Sequence, residues 1–272
     1  MEERISADND EKNMISSRPA SRGVAEAVEA SDRVRCLTGI DGLDDILNGG
    51  IPKGNTILVT GTCGTGKTSL GLEFILHGAE EEEVGIFITA TETSEKLMES
   101  MIPYDFFRPK LLKEGKVEFL SLHELYKTAG ISGPEIDSKG AASLIKAVVA
   151  AVKKRKAKRL VMDSVTSVCA RLSTEDRIRE FITGLSHALA KEGCTAILIS
   201  EVPAGSDIYS PYGVEEAVVD GVVLLGNLER RGDLLRTLQV VKMRGTTHSR
   251  AKYVLDLTSC GVLLAPLLKG GG

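Results

Sequence analysis

The eight residues GTCGTGKT, Gly61 to Thr68, match G-x-x-x-x-G-K-[ST] at every fixed position. Glycines at 61, 64 and 66 let a backbone curl until successive N–H groups point inward, a geometry suited to holding phosphate oxygens. In such a loop Gly61, Thr62, Cys63, Gly64, Thr65 and Gly66 form the cradle, and Lys67 brings a point charge to the β- and γ-phosphates. The Thr68 hydroxyl is placed to ligate Mg2+, and Ser69 follows in the first turn of a helix whose positive end faces the anion. The chemistry implied is capture of a magnesium–nucleoside triphosphate, with ATP the expected ligand. Cys63 occupies a variable position of the motif, so no redox role is assigned to it.

Hydrolysis of such a ligand calls for two further groups. RLVMDSVTS places Asp163 directly after four residues of buried-strand character, where a Walker B aspartate binds the metal. An Asp after a strand also reads as a helix cap; a complete phosphate loop upstream favours the metal. In IFITATETSE, Glu92 lies just past another strand, where a carboxylate hydrogen-bonds a water in line with the γ-phosphate. The plainer reading of Glu92 is a charge at a helix N-terminus, with Thr91 or Thr93 as the cap.

These residues need a scaffold, and the chain punctuates itself as one. TILVT (56–60) is a β-branched run before the loop, and 67–77 is helical. Strands follow at 85–89 (GIFIT), 117–122, 159–162 and 195–200, with helices near 95–100, 141–156 and 173–191. After Asp220 the texture changes: VVLLGNL, LLRTLQVVKMR, AKYVLDL and GVLLAPLL are β-rich pieces with no helix between them, so they join as antiparallel hairpins. The expectation is an α/β fold, a mainly parallel sheet flanked by helices and extended by antiparallel strands at its C-terminal end. Aromatics are only 4% of the chain and Trp is absent, so aliphatic side chains must build that core. Residues 1–32 have few large apolar side chains and read as a disordered acidic tail, leaving 33–272 as one catalytic domain.

Several function classes are disfavoured. No apolar run reaches the roughly 18 residues that span a bilayer, and the polar start MEERISADNDEK does not read as a signal peptide. Five cysteines without a C-x-x-C pair argue against a disulfide framework or a zinc site, so a cytoplasmic location is expected. Residues 1–30 carry seven acidic and four basic side chains; of the net −4, only −1 then belongs to the remainder, which lacks a basic footprint for nucleic acid. The run KKRKAKR (153–159) reads as a solvated face at a helix end, EEEE (80–83) as a solvated turn, and His77, His123 and His187 have no metal-ligand spacing.

The wider pattern resembles the RecA superfamily and, within it, the KaiC-like ATPases. TGIDGLDDILNGGIPKG (38–54) is similar to the segment preceding the family's phosphate loop, and GIFITATETSE to the strand bearing its catalytic glutamates. YGVEEAVVDGVVLL (212–225) and KMRGTTHS (242–249) resemble two further family blocks, so the likeness covers about residues 33–268. It implies a RecA-like P-loop fold, ATP hydrolysis with Mg2+, and a homo-oligomeric ring, usually a hexamer, holding ATP between subunits. It also implies that Lys242 and Arg244 reach the γ-phosphate held by the next subunit. Met243, Thr246, His248, Thr258 and Ser259 match positions lining base and ribose in that neighbour. A protein partner sensitive to nucleotide state belongs to the same expectation.

Two departures stand out. KaiC proper carries two such domains and this sequence one, and the family's adjacent glutamates are here Thr91 and Glu92, which leaves the hydrolysis rate open. No segment matches the autokinase phosphosite. A recombinase-like, DNA-stimulated ATPase is the first alternative, but VPAGSDIYSPYGVEE (202–216) contains no Lys or Arg and has four acidic residues within or beside it, which would repel phosphates. The second is a nucleotide-dependent assembly or signalling module with little hydrolysis.

Overall fold

Short β-branched runs between glycine turns become the strands of a computed structural model that describes residues 34–206 and 208–267. The tail expected over 1–32 lies outside the described residues. A small antiparallel pair, β1 (Arg35–Cys36) and β2 (Ile51–Pro52), flanks α1 (Leu43–Ile46). The main sheet is built from β3 (Thr56–Gly61), β4 (Gly85–Thr89), β5 (Val117–Ser121), β6 (Arg159–Asp163), β7 (Thr195–Glu201), β8 (Gly221–Arg230), β9 (Asp233–Met243), β10 (Lys252–Thr258) and β11 (Gly261–Pro266). Their spatial order is β11-β10-β9-β8-β3-β7-β6-β4-β5. All neighbours from β8 across to β5 are parallel, and β9, β10 and β11 close the other side as antiparallel hairpins.

Helices cover both faces. On one lies α2 (Lys67–Glu80), whose Leu70, Phe74 and Ile75 share a core with Val59, Phe87 and Val161. On the other lie α6 (Ser138–Arg155) and α8 (Glu175–Lys191), packing Leu144, Val148, Phe181 and Leu185 against Leu58, Leu160 and Leu198. Alternate residues of a strand face opposite sides, so strands buried on both faces read as unbroken apolar runs. Helix α6 starts three residues earlier than the apolar pattern suggested, because the Asp137 carboxylate accepts from Gly140 N at 2.7 Å and caps it.

Besides α3 (Ser94–Met101), which was anticipated, five short helices among the described residues were not: α1 (Leu43–Ile46), α4 (Pro109–Lys113), α5 (Leu122–Thr128), α7 (Val165–Leu172) and α9 (Glu215–Val218). They span 4 to 8 residues, too short for a clear helical period. The helix expected from 173 instead begins at Glu175, since Ser173 takes a left-handed conformation (φ 65°) that separates α7 from α8.

Two charge runs expected to be solvated are partly buried against each other. Arg159 is only 2% exposed; its Nε donates to Glu83 Oε2 at 2.8 Å and its Nη1 to the Phe74 carbonyl at 2.9 Å. Lys53 Nζ holds the other Glu83 oxygen at 2.8 Å. Burial alone would raise the Glu83 pKa, but the hydrogen bonds and charges of Lys53 and Arg159 leave it below the ordinary value. The guanidinium crosses α2 at Gly78, where a Cβ would lie 2.2 Å from Arg159 Nε, so only glycine fits. The rest of the run stays outside: Lys153 pairs with Glu192 at 3.2 Å and Arg155 with Glu118 at 2.7 Å.

Removing Arg159 would leave the buried Phe74 carbonyl unpaired, at a cost of roughly 1–3 kcal/mol, while Glu83 keeps Lys53; an exposed pair contributes about 0–1 kcal/mol. Arg159→Ala should therefore lower urea-unfolding stability by about that larger amount, and Lys153→Ala should change it little; equal small effects would contradict the assignment.

Candidate active site

Sheet register gathers the chemistry at one edge. Parallel pairing sets Gly61 opposite Glu201, Ile199 opposite Asp163, and Asp163 opposite Thr89, so β3, β7, β6 and β4 end together. Open α/β sheets bind ligands at the carboxyl ends of their strands. Here those ends enclose a cavity of about 350 Å³, lined by loop residues Cys63, Gly64 and Gly66 to Ser69 together with Thr89, Thr91, Glu92, Asp163, Glu201 and Leu257. A larger hollow of about 570 Å³ lies between residues 129–133 and the first turn of α6. It contains none of the predicted site residues, so chemistry rather than size selects the site.

The phosphate loop turns into α2 at Gly66, whose left-handed φ of 98° suits glycine. Thr65 Oγ1 donates to the Thr62 carbonyl at 2.8 Å and ties the loop across itself. Lys67 is buried at 6% exposure; its Nζ donates to the carbonyls of Gly61 (2.9 Å) and Thr62 (2.8 Å) and lies 4.0 Å from Glu201. Burial depresses its pKa, with the carboxylates of Glu201 and Asp163 acting in the opposite sense. From the next position of α2, Thr68 Oγ1 donates to Asp163 Oδ2 at 2.6 Å. Burial raises the Asp163 pKa, opposed by that hydrogen bond and by Lys67.

Glu92 stands on the fourth strand end. The Thr89 hydroxyl accepts from Glu92 N (3.2 Å) and donates to Glu92 O (2.9 Å), pinning its backbone at the cavity wall. Thr93, not Thr91, caps α3 by accepting from Lys96 N. A hydroxyl and one carboxylate meeting beside a phosphate loop fit Mg2+, a hard cation bound through one or two carboxylates plus substrate phosphates.

The residues carried over from the resemblance divide between two edges. Lys242 and Met243 pair with Val222 and Gly221, which pair in turn with Leu58 and Ile57, near the start of β3 and away from the loop. There Lys242 Nζ donates to the carbonyls of Glu216 (2.9 Å), Ala217 (3.3 Å) and Val219 (2.7 Å), closing the end of α9. Arg244 is more exposed, with Asp220 at 3.9 Å. Met243 is buried in this chain's own core. Thr246 Oγ1 donates to the Leu47 carbonyl, and His248 Nδ1 lies 3.2 Å from the Ser249 carbonyl. Thr258 and Ser259, by contrast, form the β10–β11 turn, where the Ser259 carbonyl accepts from Asp105 N at 2.7 Å. The neighbouring Leu257 lines the cavity, and a Cβ at Gly66 would meet it at 3.3 Å.

Comparison with known proteins gives the family and the fold. The family model described as "ATPase: KaiC" matches residues 36–269. The circadian clock oscillator protein KaiC of Acaryochloris marina is 34% identical over 86% of the chain, and that of Synechococcus elongatus 34% over 85%. The chain spans 44% of the length of each of these curated relatives. A UPF0273 protein of Pyrococcus furiosus is 33% identical over 87% of the chain and 97% of its own length. The crystal structure of a KaiC-like protein from Pyrococcus horikoshii superposes with a TM-score of 0.72 at 35% identity, covering 86% of this chain and 99% of that one.

Two acidic residues, one at this edge and one on α2, were not singled out from sequence. Glu201 follows a buried strand as Asp163 does, which was the available signal. Glu73, on α2, is 6% exposed and accepts from Val262 N at 2.8 Å, fastening the β10–β11 hairpin to the phosphate-loop helix. Burial, and to a lesser degree the nearby Asp41, outweigh that hydrogen bond and push its pKa from 4.5 up to about 7. An acid with a raised folded-state pKa destabilises the fold as it ionises: the cost is absent below pH 4.5, grows toward pH 7 and then levels off. Glu73→Gln should accordingly add on the order of 2 kcal/mol at pH 8 and almost nothing at pH 4.5. Urea unfolding at both pH values checks this; a pH-independent difference would contradict it.

Proposed function

The chain belongs to the KaiC family of ATPases, with the RecA-like fold of that family, and on that premise we propose that it binds Mg2+–ATP and hydrolyses it. The observation that carries the reading is the 2.6 Å contact between Thr68 and Asp163 beneath a complete phosphate loop. Loop N–H groups and the N-terminus of α2 hold the phosphates, and Lys67 supplies a buried positive charge. Thr68 and Asp163 would hold Mg2+, which when bound neutralises charge on the phosphate oxygens. Glu92, fixed through Thr89, orients the attacking water.

The division between edges favours an oligomer. Lys242 and Arg244 face away from their own loop, so they serve a nucleotide only if another subunit holds it. Of the two, Arg244 is the better finger, because the Lys242 ammonium already has three carbonyl partners. Thr258 and Ser259 instead flank the nucleotide of their own subunit. Lys242, Arg244, Thr246 and His248 form the opposing wall, and a cytoplasmic hexameric ring is the assembly we propose. A protein partner responding to nucleotide state fits better than DNA, since residues 202–216 offer no Lys or Arg. No helix among the described residues is long and apolar enough to cross a membrane.

One set of binding and turnover assays tests this reading. Lys67→Ala should lose ATP binding, and retained micromolar affinity would overturn the site. Glu92→Gln should bind ATP yet turn it over about 100-fold or more slowly. Mixing Glu92→Gln with Arg244→Ala subunits should restore part of the activity; no rescue at any ratio would remove the trans finger.

A further inference from the structure

Glu201 is the carboxylate at this edge that the proposed hydrolysis leaves without a task. It ends β7, between the loop strand β3 and the Asp163 strand β6, as the register partner of Gly61. Its backbone is fixed: Glu201 N donates to Thr166 Oγ1 at 3.1 Å, and that hydroxyl lies 3.2 Å from Ser200 Oγ. Its side chain is 61% exposed, lines the cavity, and has Lys67 Nζ at 4.0 Å as its ionic partner among the described residues. The backbone is therefore anchored while the carboxylate stays free to move over the loop.

We propose that Glu201 sets the phosphate-number preference of the site, as a built-in anion competing with the terminal phosphate of the nucleotide for Lys67. This rests on the nucleotide reading above. Loop N–H groups and Lys67 share the β-phosphate of a diphosphate, whereas a third phosphate would add its charge beside the cavity wall formed by Asp163, Glu92 and Glu201. Charge on Asp163 is answered by the metal that Thr68 and Asp163 suit. Among the described residues Lys67 is the ionic partner of Glu201, so once Lys67 turns to phosphate the Glu201 charge stands unanswered at the cavity wall, within the roughly 8 Å over which salt screens at physiological strength. Glu201 therefore selectively weakens triphosphate binding and holds the site closer to parity between substrate and product.

The test is calorimetric titration of the full chain with ADP and with a non-hydrolysable ATP analogue, both with Mg2+. Glu201→Gln should tighten the triphosphate analogue about 3- to 10-fold while moving ADP less than about 2-fold. Glu201→Asp, which keeps the charge but draws it back by one methylene, should show a smaller shift of the same sign and serves as the readout if the amide variant does not fold. Equal changes for both nucleotides, no change, or weaker triphosphate binding would each overturn the proposal while leaving ATP binding intact. A wild-type chain that takes up neither nucleotide would overturn the nucleotide reading and this inference with it.

Discussion

The hydrogen bond from Thr68 to Asp163 depends on a strand that contributes to neither residue's segment. Thr68 follows β3 and Asp163 ends β6, but β7 lies between those strands. The two side chains meet only because β7 holds both neighbours in register, Gly61 against Glu201 and Asp163 against Ile199. A slip of one residue along either pairing would displace a strand end by about 3.3 Å and turn its side chains to the opposite face. A 2.6 Å contact does not survive that, and register is enforced by burial of β3, β6 and β7 on both faces. The aliphatic core is thus the first requirement of the site.

Glu73 extends the same logic to the other side of the loop. Its bond to Val262 ties α2 to the β10–β11 hairpin, which brings Leu257 against Gly66 at the cavity wall. The phosphate-loop helix is therefore held on one side by the sheet and on the other by a C-terminal hairpin almost two hundred residues away, at a separation of 189. Lys242 and Arg244, on strand β9 and its exit, stay at the far edge. The loop and the Lys242–Arg244 pair thus lie at opposite ends of the strands, so the proposed ring would join unlike surfaces of neighbouring copies.

Much of this was legible in the residues. The loop, Asp163 and Glu92 could be read because each follows an apolar run, and the chemistry of α/β sheets sits where such runs stop. The change from parallel to antiparallel texture after Asp220 was legible because no helix separates those strands. Strand order was not: nothing local to TAILISE says that it inserts between β3 and β6, and without that Glu201 is only one more acid. Arg159 and Glu83 were misread as solvated because charge composition describes a side chain and not its neighbours; their burial comes from the crossing of α2 over β6. The short helices α4, α5, α7 and α9 gave too few turns to show a period.

Metal-linked binding tests the central claim, that Thr68 and Asp163 form one half of a magnesium–triphosphate site, most directly. The affinity for a non-hydrolysable ATP analogue is measured with Mg2+ present and with Mg2+ chelated, for the wild-type chain and for Asp163→Asn. The account predicts that chelation weakens the wild type by about 10-fold or more and leaves the variant nearly unchanged. An Asp163→Asn chain that keeps the full magnesium dependence would contradict it.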